Sequence, residues 1–400
     1  MLGPYASLFR VRGAWAFSAS AFVARLPISM MGIGIVLLIS RTTGEYALAG
    51  AVAGVSAFAG AVFGPLVARL VDRYGQATVL RPFLLLFVAG VTALVLLVRS
   101  GAPAWTWFLA AILAGSLPQF GALARARWAA LLPAGSARQT AFAFESVIDE
   151  VVFVTGPPLV TFLAIAVSPQ AGLFVAASFA LCGGLALAAL RRTEPAIARS
   201  DTPHPSHREV LRPGLVVVSL VLLAAGAVFG SIEVIVVAYS DALDHPGWAG
   251  GILAGYAGGS LVAGLVYGAV QWKPALATRF WVSCVIFGAA STLLLTVRSL
   301  PVLAVVMFFS GLSISPILIG GTALVETLMP PGALTEGLAW VTTGLILGVT
   351  IGASLSGPLI DGFGAQHAFL LPTAAGVSTA LFALAGRRWL VGRGSVMLAK

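Results

Sequence analysis

Gly64-Pro65-Leu66-Val67-Ala68-Arg69-Leu70-Val71-Asp72-Arg73-Tyr74-Gly75 ends one long apolar segment and begins another. It reads as a tight charged turn between two membrane helices. Gly75 supplies the backbone freedom that such a turn needs. Arg69, Arg73 and the following Arg81 mark the side that faces the cytoplasm, where loops of membrane proteins gather positive charge.

The composition on both sides of the turn agrees. Apolar residues fill 59% of the 400 positions, charged residues only 9%, and mean hydropathy is +1.01. A soluble domain carries roughly 25% charged residues. The apolar runs are also too long and too many for buried core helices, since one span takes about 20 residues. The chain therefore reads as an all-α polytopic membrane protein. A β-barrel is excluded, because the pattern is continuous apolar helix and not short alternating strands.

The net charge of +9 does not point to nucleic acid. Of the 23 Lys and Arg, Arg41, Arg99 and Arg298 fall outside, Arg25 falls within a helix, and the rest fall in segments read as cytoplasmic. That skew reports topology. Cys182 and Cys284 both lie in apolar helices and read as small core residues, with no disulfide framework and no metal-ligand spacing. The first apolar run follows Arg10 and Arg12 but extends to Ile39, too long for a cleaved signal, so it is taken as the first span.

Twelve spans are expected, at about 14–40, 46–71, 79–98, 104–132, 139–166, 170–190, 213–239, 247–270, 279–297, 301–328, 333–357 and 366–386. The even count puts both termini in the cytoplasm, as Arg387, Arg388, Arg393 and Lys400 also imply. The long polar insert 191–212 is rich in Pro and charge and cannot bury a core. It divides the chain into two six-helix halves, 1–190 and 213–400. The halves echo each other as pseudo-repeats. Gly54, Gly60, Phe63 and Gly64 of span 2 fall in register with Gly258, Gly264, Tyr267 and Gly268 of span 8. Gly156-Pro157 of span 5 does so with Gly357-Pro358 of span 11. Chance matches are easy among 46 glycines, yet both registers pair the spans that a duplicated unit would pair. Small residues four apart, at Gly60 and Gly64, at Gly264 and Gly268, and at Gly344, Gly348, Gly352 and Ser356, mark close helix packing or a sliding contact between halves.

Ionisable groups inside spans cost about 2.5–3.5 kcal/mol each at the centre, so each asks for a reason. Arg25 lies roughly 16 Å into span 1, and Asp149 and Glu150 lie at similar depth in span 5. A pair of Arg25 with Asp149 or Glu150 follows, either fixing span 1 on span 5 or, through the surplus carboxylate, touching substrate or proton. Glu145 and Asp149 share a helix face and need cations nearby. The expected cytoplasmic latch comprises Asp72, Arg73, Arg125 or Arg127, Glu145 and Glu336. Glu233 sits deep in an apolar run with no basic neighbour in its own helix. It is either a snorkelling carboxylate or one that loads and releases a proton. Glu326 reads as facing the cytoplasmic water. Ser313-Ile-Ser-Pro316 with Gly320-Gly321 marks a weakened backbone in span 10, a kink or a hinge.

No enzyme constellation is present: no His-Glu-x-x-His, no phosphate-binding Gly-x-x-x-x-Gly-Lys-Ser/Thr and no Gly-x-Ser-x-Gly. His204, His207, His245 and His367 fall in the linker or near helix ends, which suits solvated loops better than a metal site. No cofactor is expected.

Asp72-Arg73-x-Gly75 after the small Ala68, twelve spans, a central charged loop and Gly156-Pro157 in span 5 together resemble a major facilitator superfamily transporter along essentially the whole chain. Ala68 stands where that pattern has Gly, and Gln76 and Ala77 stand where it has basic residues. Gly156-Pro157 also resembles the span 5 motif of drug/proton antiporters, with Val152, Val160 and Thr161 in place of its further glycines. The resemblance implies that spans 1, 4, 7 and 10 line a cavity and that 2, 5, 8 and 11 join the halves. The span 5 resemblance favours export; cavity spans rich in Phe, Trp, Met and Ala with few charges suit a small apolar or amphipathic compound, and span carboxylates suit protons as the coupling ion. A monomer in the cell (inner) membrane is expected. A sugar or metabolite transporter of the same fold, and a non-transporting scaffold or receptor, are the alternatives.

Overall fold

The computed structural model describes residues 8, 10–133, 136–195, 212–270, 272–329 and 334–390. Two compact units emerge, Met1–Gly44 with Val55–Ser200, and Glu45–Gly54 with Asp201–Lys400.

In the first unit, α1 (Ala14–Arg25) and α2 (Pro27–Thr43) form one span with a break at Leu26. Pro27 has no N–H to give to the preceding turn, and the Leu26 N–H closes a tighter bond to the Val23 carbonyl (3.3 Å). The Ser29 hydroxyl, just past the break, reaches the Val152 carbonyl (2.8 Å). Helix α3 (Tyr46–Tyr74) leads into the turn at Gly75 and then α4 (Gln76–Arg99). Gly75 has φ 83 and ψ 156, and its N–H bonds the Val71 carbonyl at 2.8 Å. The positive φ is the reason a side chain is excluded there. The segment expected as one span at 104–132 is instead two helices, α5 (Ala104–Ala114) and α6 (Phe120–Leu131). Pro118 interrupts the bond ladder between them, and Gly115 lies against the Ser56 carbonyl. Helices α7 (Ser136–Ala166) and α8 (Ala171–Ala189) complete the unit. Here α1 packs on α8, α2 on α7, and α4 on α8.

The second unit opens with α9 (Pro213–Ala242), the most continuously buried of the long spans after the first. Then come α10 (Trp248–Ala269), α11 (Leu276–Thr292), α12 (Leu300–Gly311), α13 (Ile314–Leu328), α14 (Leu334–Phe363), α15 (Ala365–Ala368) and α16 (Leu370–Gly386). α9 packs on α14 and α16, and α11 packs on α16. Helices α12 and α13 form one span broken at Leu312–Ser313. Pro316 falls in the first turn of α13, where its missing N–H would have no partner, so it starts a helix and does not bend one. Gly364 repeats the geometry of Gly75, with φ 81, ψ 158 and a 2.8 Å bond to the Ile360 carbonyl.

Among the described residues eleven segments are long and apolar enough to cross a membrane, and Ala104–Ala114 is a shorter apolar helix. Multiple crossings make this an integral multi-pass membrane protein. Contrary to the sequence reading, Cys182 is exposed on α8, whereas Cys284 is buried in α11.

The tightest helix contact is built from small residues. Gly344, Gly348 and Gly352 of α14 face the Ser219, Leu223 and Ala227 carbonyls of α9, while Gly226 and Gly230 of α9 face the Leu345 and Val349 carbonyls of α14. Where lipid gives no drive to associate, such close backbone approach supplies the attraction. Gly348→Ala places a methyl against the Leu223 carbonyl and is expected to lower stability by about 1–3 kcal/mol. Gly251→Ala on α10, which meets nothing within 4 Å, is expected to leave it unchanged or slightly raised. Thermal unfolding of the two purified variants in detergent checks the contrast.

Candidate functional site

The first unit holds a group of four charges, two of them buried. Arg25 ends α1 at the Pro27 break, which leaves its side chain pointing at α7. Its guanidinium pairs with Glu145 and, at 3.1 Å, with Asp149. Arg125 of α6 closes the group on Asp149 at 2.8 Å and meets the Ser146 hydroxyl at 3.3 Å. Arg25 is 4% exposed and Glu145 fully buried, whereas Arg125 and Asp149 are 32% and 37% exposed. Two cations thus face two carboxylates, with one pair sealed and the other reaching the surface. The Trp128 indole N–H donates to Glu145 at 2.7 Å, and the Ser18 hydroxyl reaches the same oxygen at 3.4 Å. Phe17 packs edge-on against Trp128 with centroids 4.9 Å apart, covering the sealed side. Gly121 lies against the group: a Cβ there would come within 3.2 Å of Arg125, 3.5 Å of Asp149 and 3.7 Å of Arg25.

Glu145 and Asp149 are one turn apart and share a face, so both meet Arg25, while Glu150 lies about 100° further round α7 and is half-buried. The expected partner set of Arg25 is therefore corrected: Glu145 joins Asp149.

Arg127, itself fully buried, belongs to a separate group. Its guanidinium donates to Gln76 Oε1 (2.8 Å), the Leu187 carbonyl (2.9 Å), the Leu190 carbonyl (2.8 Å) and Thr193 Oγ1 (2.7 Å). Glu194 accepts the Ala77 N–H (2.9 Å) at the start of α4. Together they tie the ends of α4, α6 and α8. The structure does not bring Arg127 and Glu145 together, although the sequence reading placed both in one latch. Their helices turn them to different neighbours. Arg73 is exposed, its guanidinium over the Tyr74 ring at 5.2 Å. The side chains of Asp72 and Glu336 lie outside the described residues. Gly156 presses against Ser29 and Met30, seating α7 on α2, with Pro157 next to it inside α7.

In the second unit, Glu233 stands alone on α9. It is half-buried, and no cation or hydrogen-bond donor among the described residues meets it. One turn earlier Phe229 packs edge-on against Tyr256 and Phe287, each at 6.3 Å between centroids. The surroundings of that turn are apolar and aromatic.

Several contributors escaped the sequence reading. Trp128, Ser18 and Gly121 gave no motif; a polar residue on the Arg25 side of neighbouring helices was the only available signal. Gln76 and Glu194 flank the turn and the linker, where a polar residue gives no signal of the buried bonds they make.

The sequence profile described as the Major Facilitator Superfamily matches residues 17–280. No curated protein matches the sequence significantly. Solved structures share the fold. The POT family transporter PepTSo superposes with a TM-score of 0.74 at 10% identity, covering 98% of this chain and 99% of that one. The peptide transporter POT in complex with sulfate gives 0.72 at 14% identity over 94% of each chain. The nucleoside transporter NupG gives 0.71 at 14% identity over 94% of this chain and 99% of that one.

Arg25→Met strands the sealed carboxylate of Glu145 and is expected to cost about 3–5 kcal/mol. Adding Glu145→Gln removes the orphaned charge and leaves Arg125 with Asp149, so part of that loss should return. Unfolding midpoints of the single and double variants measure it; equal losses would show that the pair contributes nothing beyond shape.

Proposed function

Because the chain belongs to the major facilitator superfamily, we propose that it is a secondary active transporter working by alternating access, which exports a small apolar or amphipathic compound in exchange for protons. It is a transporter and not an enzyme. The observation that carries the coupling is Glu233. Protonating Glu145 or Asp149 means breaking an ion pair with Arg25 or Arg125. Among the described residues Glu233 has no cation to lose, so it changes charge without breaking an ion pair there. An intramembrane carboxylate of this kind is costly to keep and serves a scaffold nothing.

Apolar cargo is supported by the aromatic surroundings of α9 around Phe229 and by the scarcity of charge in the spans. Arg25 and Asp149 serve chiefly to fix α1 on α7 in this reading, with Asp149 and Glu150, both partly exposed, as secondary candidates for touching cargo or proton. A sugar or metabolite transporter is the second reading, favoured by the fold shared with the peptide transporter POT and the nucleoside transporter NupG. The proposed setting is a monomer in the cell (inner) membrane with both termini cytoplasmic. The proposed organisation is two six-helix halves, 1–190 and 213–400, joined by 191–212; the recurrence of the same helix pairings in each unit supports it. Asp72, Arg73 and Glu336 remain proposed members of an inner latch, while Arg125, Arg127 and Glu145 are engaged within the first unit.

The test is flux in proteoliposomes under an imposed pH gradient, with a panel of apolar dyes and antibiotics. Glu233→Gln is expected to abolish gradient-driven movement, with Asp149→Asn and Glu150→Gln retaining more of it. Gradient-driven flux that survives in Glu233→Gln would remove this residue from the coupling.

A further inference from the structure

The start of α3 is fastened by a carboxylate from the other end of the sequence. Both Asp361 oxygens accept backbone N–H groups of the first turn, from Tyr46 at 3.2 Å and from Ala47 at 2.8 Å. These are donors that a helix start leaves without an internal partner, and a negative charge there also meets the positive end of the helix dipole. The Tyr46 hydroxyl adds a 2.7 Å bond to the Asp241 carboxylate at the end of α9. One residue is thus held through its backbone by α14 and through its side chain by α9.

Packing continues the grip along α3. Gly357 lies directly on the Tyr46 carbonyl and the Ala47 backbone, and Gly50 lies on the Ala353 carbonyl. The Thr350 hydroxyl donates to the Gly54 carbonyl at 3.3 Å. This is why Glu45–Gly54 clusters with the second unit while Val55 onward clusters with the first. The division falls inside one unbroken helix.

Asp361 is presented by a turn that occurs twice. Asp72-Arg73-Tyr74-Gly75 and Asp361-Gly362-Phe363-Gly364 share an Asp three residues before a Gly. The two Gly residues have the same backbone angles and the same 2.8 Å bond four residues back. The turn ends a helix sharply and leaves the Asp near its rim.

We propose that Asp361 and Asp241 form a latch on residue 46 that holds the outer end of α3 on α14 and α9. Releasing this latch is a step in opening the protein to the outside. The proposal rests on the alternating-access reading and on the orientation with cytoplasmic termini, which places this end outside. It names residues distinct from the inner latch, and it assigns a job to the cap that cargo binding does not explain.

The test places a cysteine at Ser354, whose side chain faces Gly54 beneath the fastened segment, in a chain carrying Cys182→Ser. Labelling by a membrane-impermeant maleimide added to intact cells is timed for the parent, Asp361→Ala and Tyr46→Phe. Losing a helix cap of this kind shifts an opening equilibrium roughly fivefold, so labelling at position 354 should speed up by about that factor in Asp361→Ala. Tyr46→Phe keeps the ring and the cap, and should give a smaller increase; it also covers the case in which Asp361→Ala does not reach the membrane. Faster labelling in either variant supports the latch. Unchanged labelling in Tyr46→Phe and in any folded Asp361→Ala overturns it. Flux measured on the same variants separates the two ideas: faster labelling without flux in any chain rejects transport and keeps the latch, whereas normal flux with unchanged labelling rejects the latch alone.

Discussion

Inside an apolar span there is no water to satisfy a polar group, and the architecture of this chain follows from that shortage. Backbone groups answer it by forming helices, and where a helix breaks, something local takes over. At Leu26 it is the Val23 carbonyl and the Ser29 hydroxyl; at Ser313 it is a hydroxyl bond to the Ser310 carbonyl (2.7 Å). Charged side chains answer it by pairing, as Arg25 does with Glu145 and Asp149. Glu233 is a half-buried span carboxylate for which the described residues offer no such answer, and for that reason it carries the functional argument.

The buried groups of the first unit divide the labour. Arg127 binds four acceptors drawn from α4, α8 and the residues just after α8, which makes it a rivet at one end of the helices. The Arg25 group sits further along and grades from sealed to accessible. Its sealed half, with Trp128 and Ser18 on Glu145, has no room to exchange partners. Its open half, Asp149 with Arg125, does. Arg25 contacts both carboxylates and so links the two halves, and a change at Asp149 is felt at the crossing of α1 and α7.

Much of the fold was legible because apolar run length is a one-dimensional signal. The turn at Gly75, the Gly344-Gly348-Gly352 seam and the weakened span 10 all have local causes, and each was readable from a few adjacent residues. The division of 104–132 into two helices was not, although Pro118 stood in plain view, because a proline inside a long apolar run bends some spans and breaks others. What decides is the neighbour, here the Ser56 carbonyl against Gly115. For the site, depth along a span located Arg25, Asp149 and Glu233 but could not say who faces whom. Azimuth decides that, and it selected Glu145 over Glu150 for Arg25. The bonds from Asp361 to residues 46 and 47 join positions more than three hundred apart in sequence, and nothing local announces them.

The central claim is that proton movement and cargo movement are linked through Glu233. The most direct measurement is the pH inside vesicles as cargo runs down its own gradient, recorded with a trapped dye for the parent and for Glu233→Gln. The account requires protons to move opposite to cargo in the parent. In Glu233→Gln that proton movement should vanish while cargo-for-cargo exchange continues. Proton movement of the same size in both chains would contradict it.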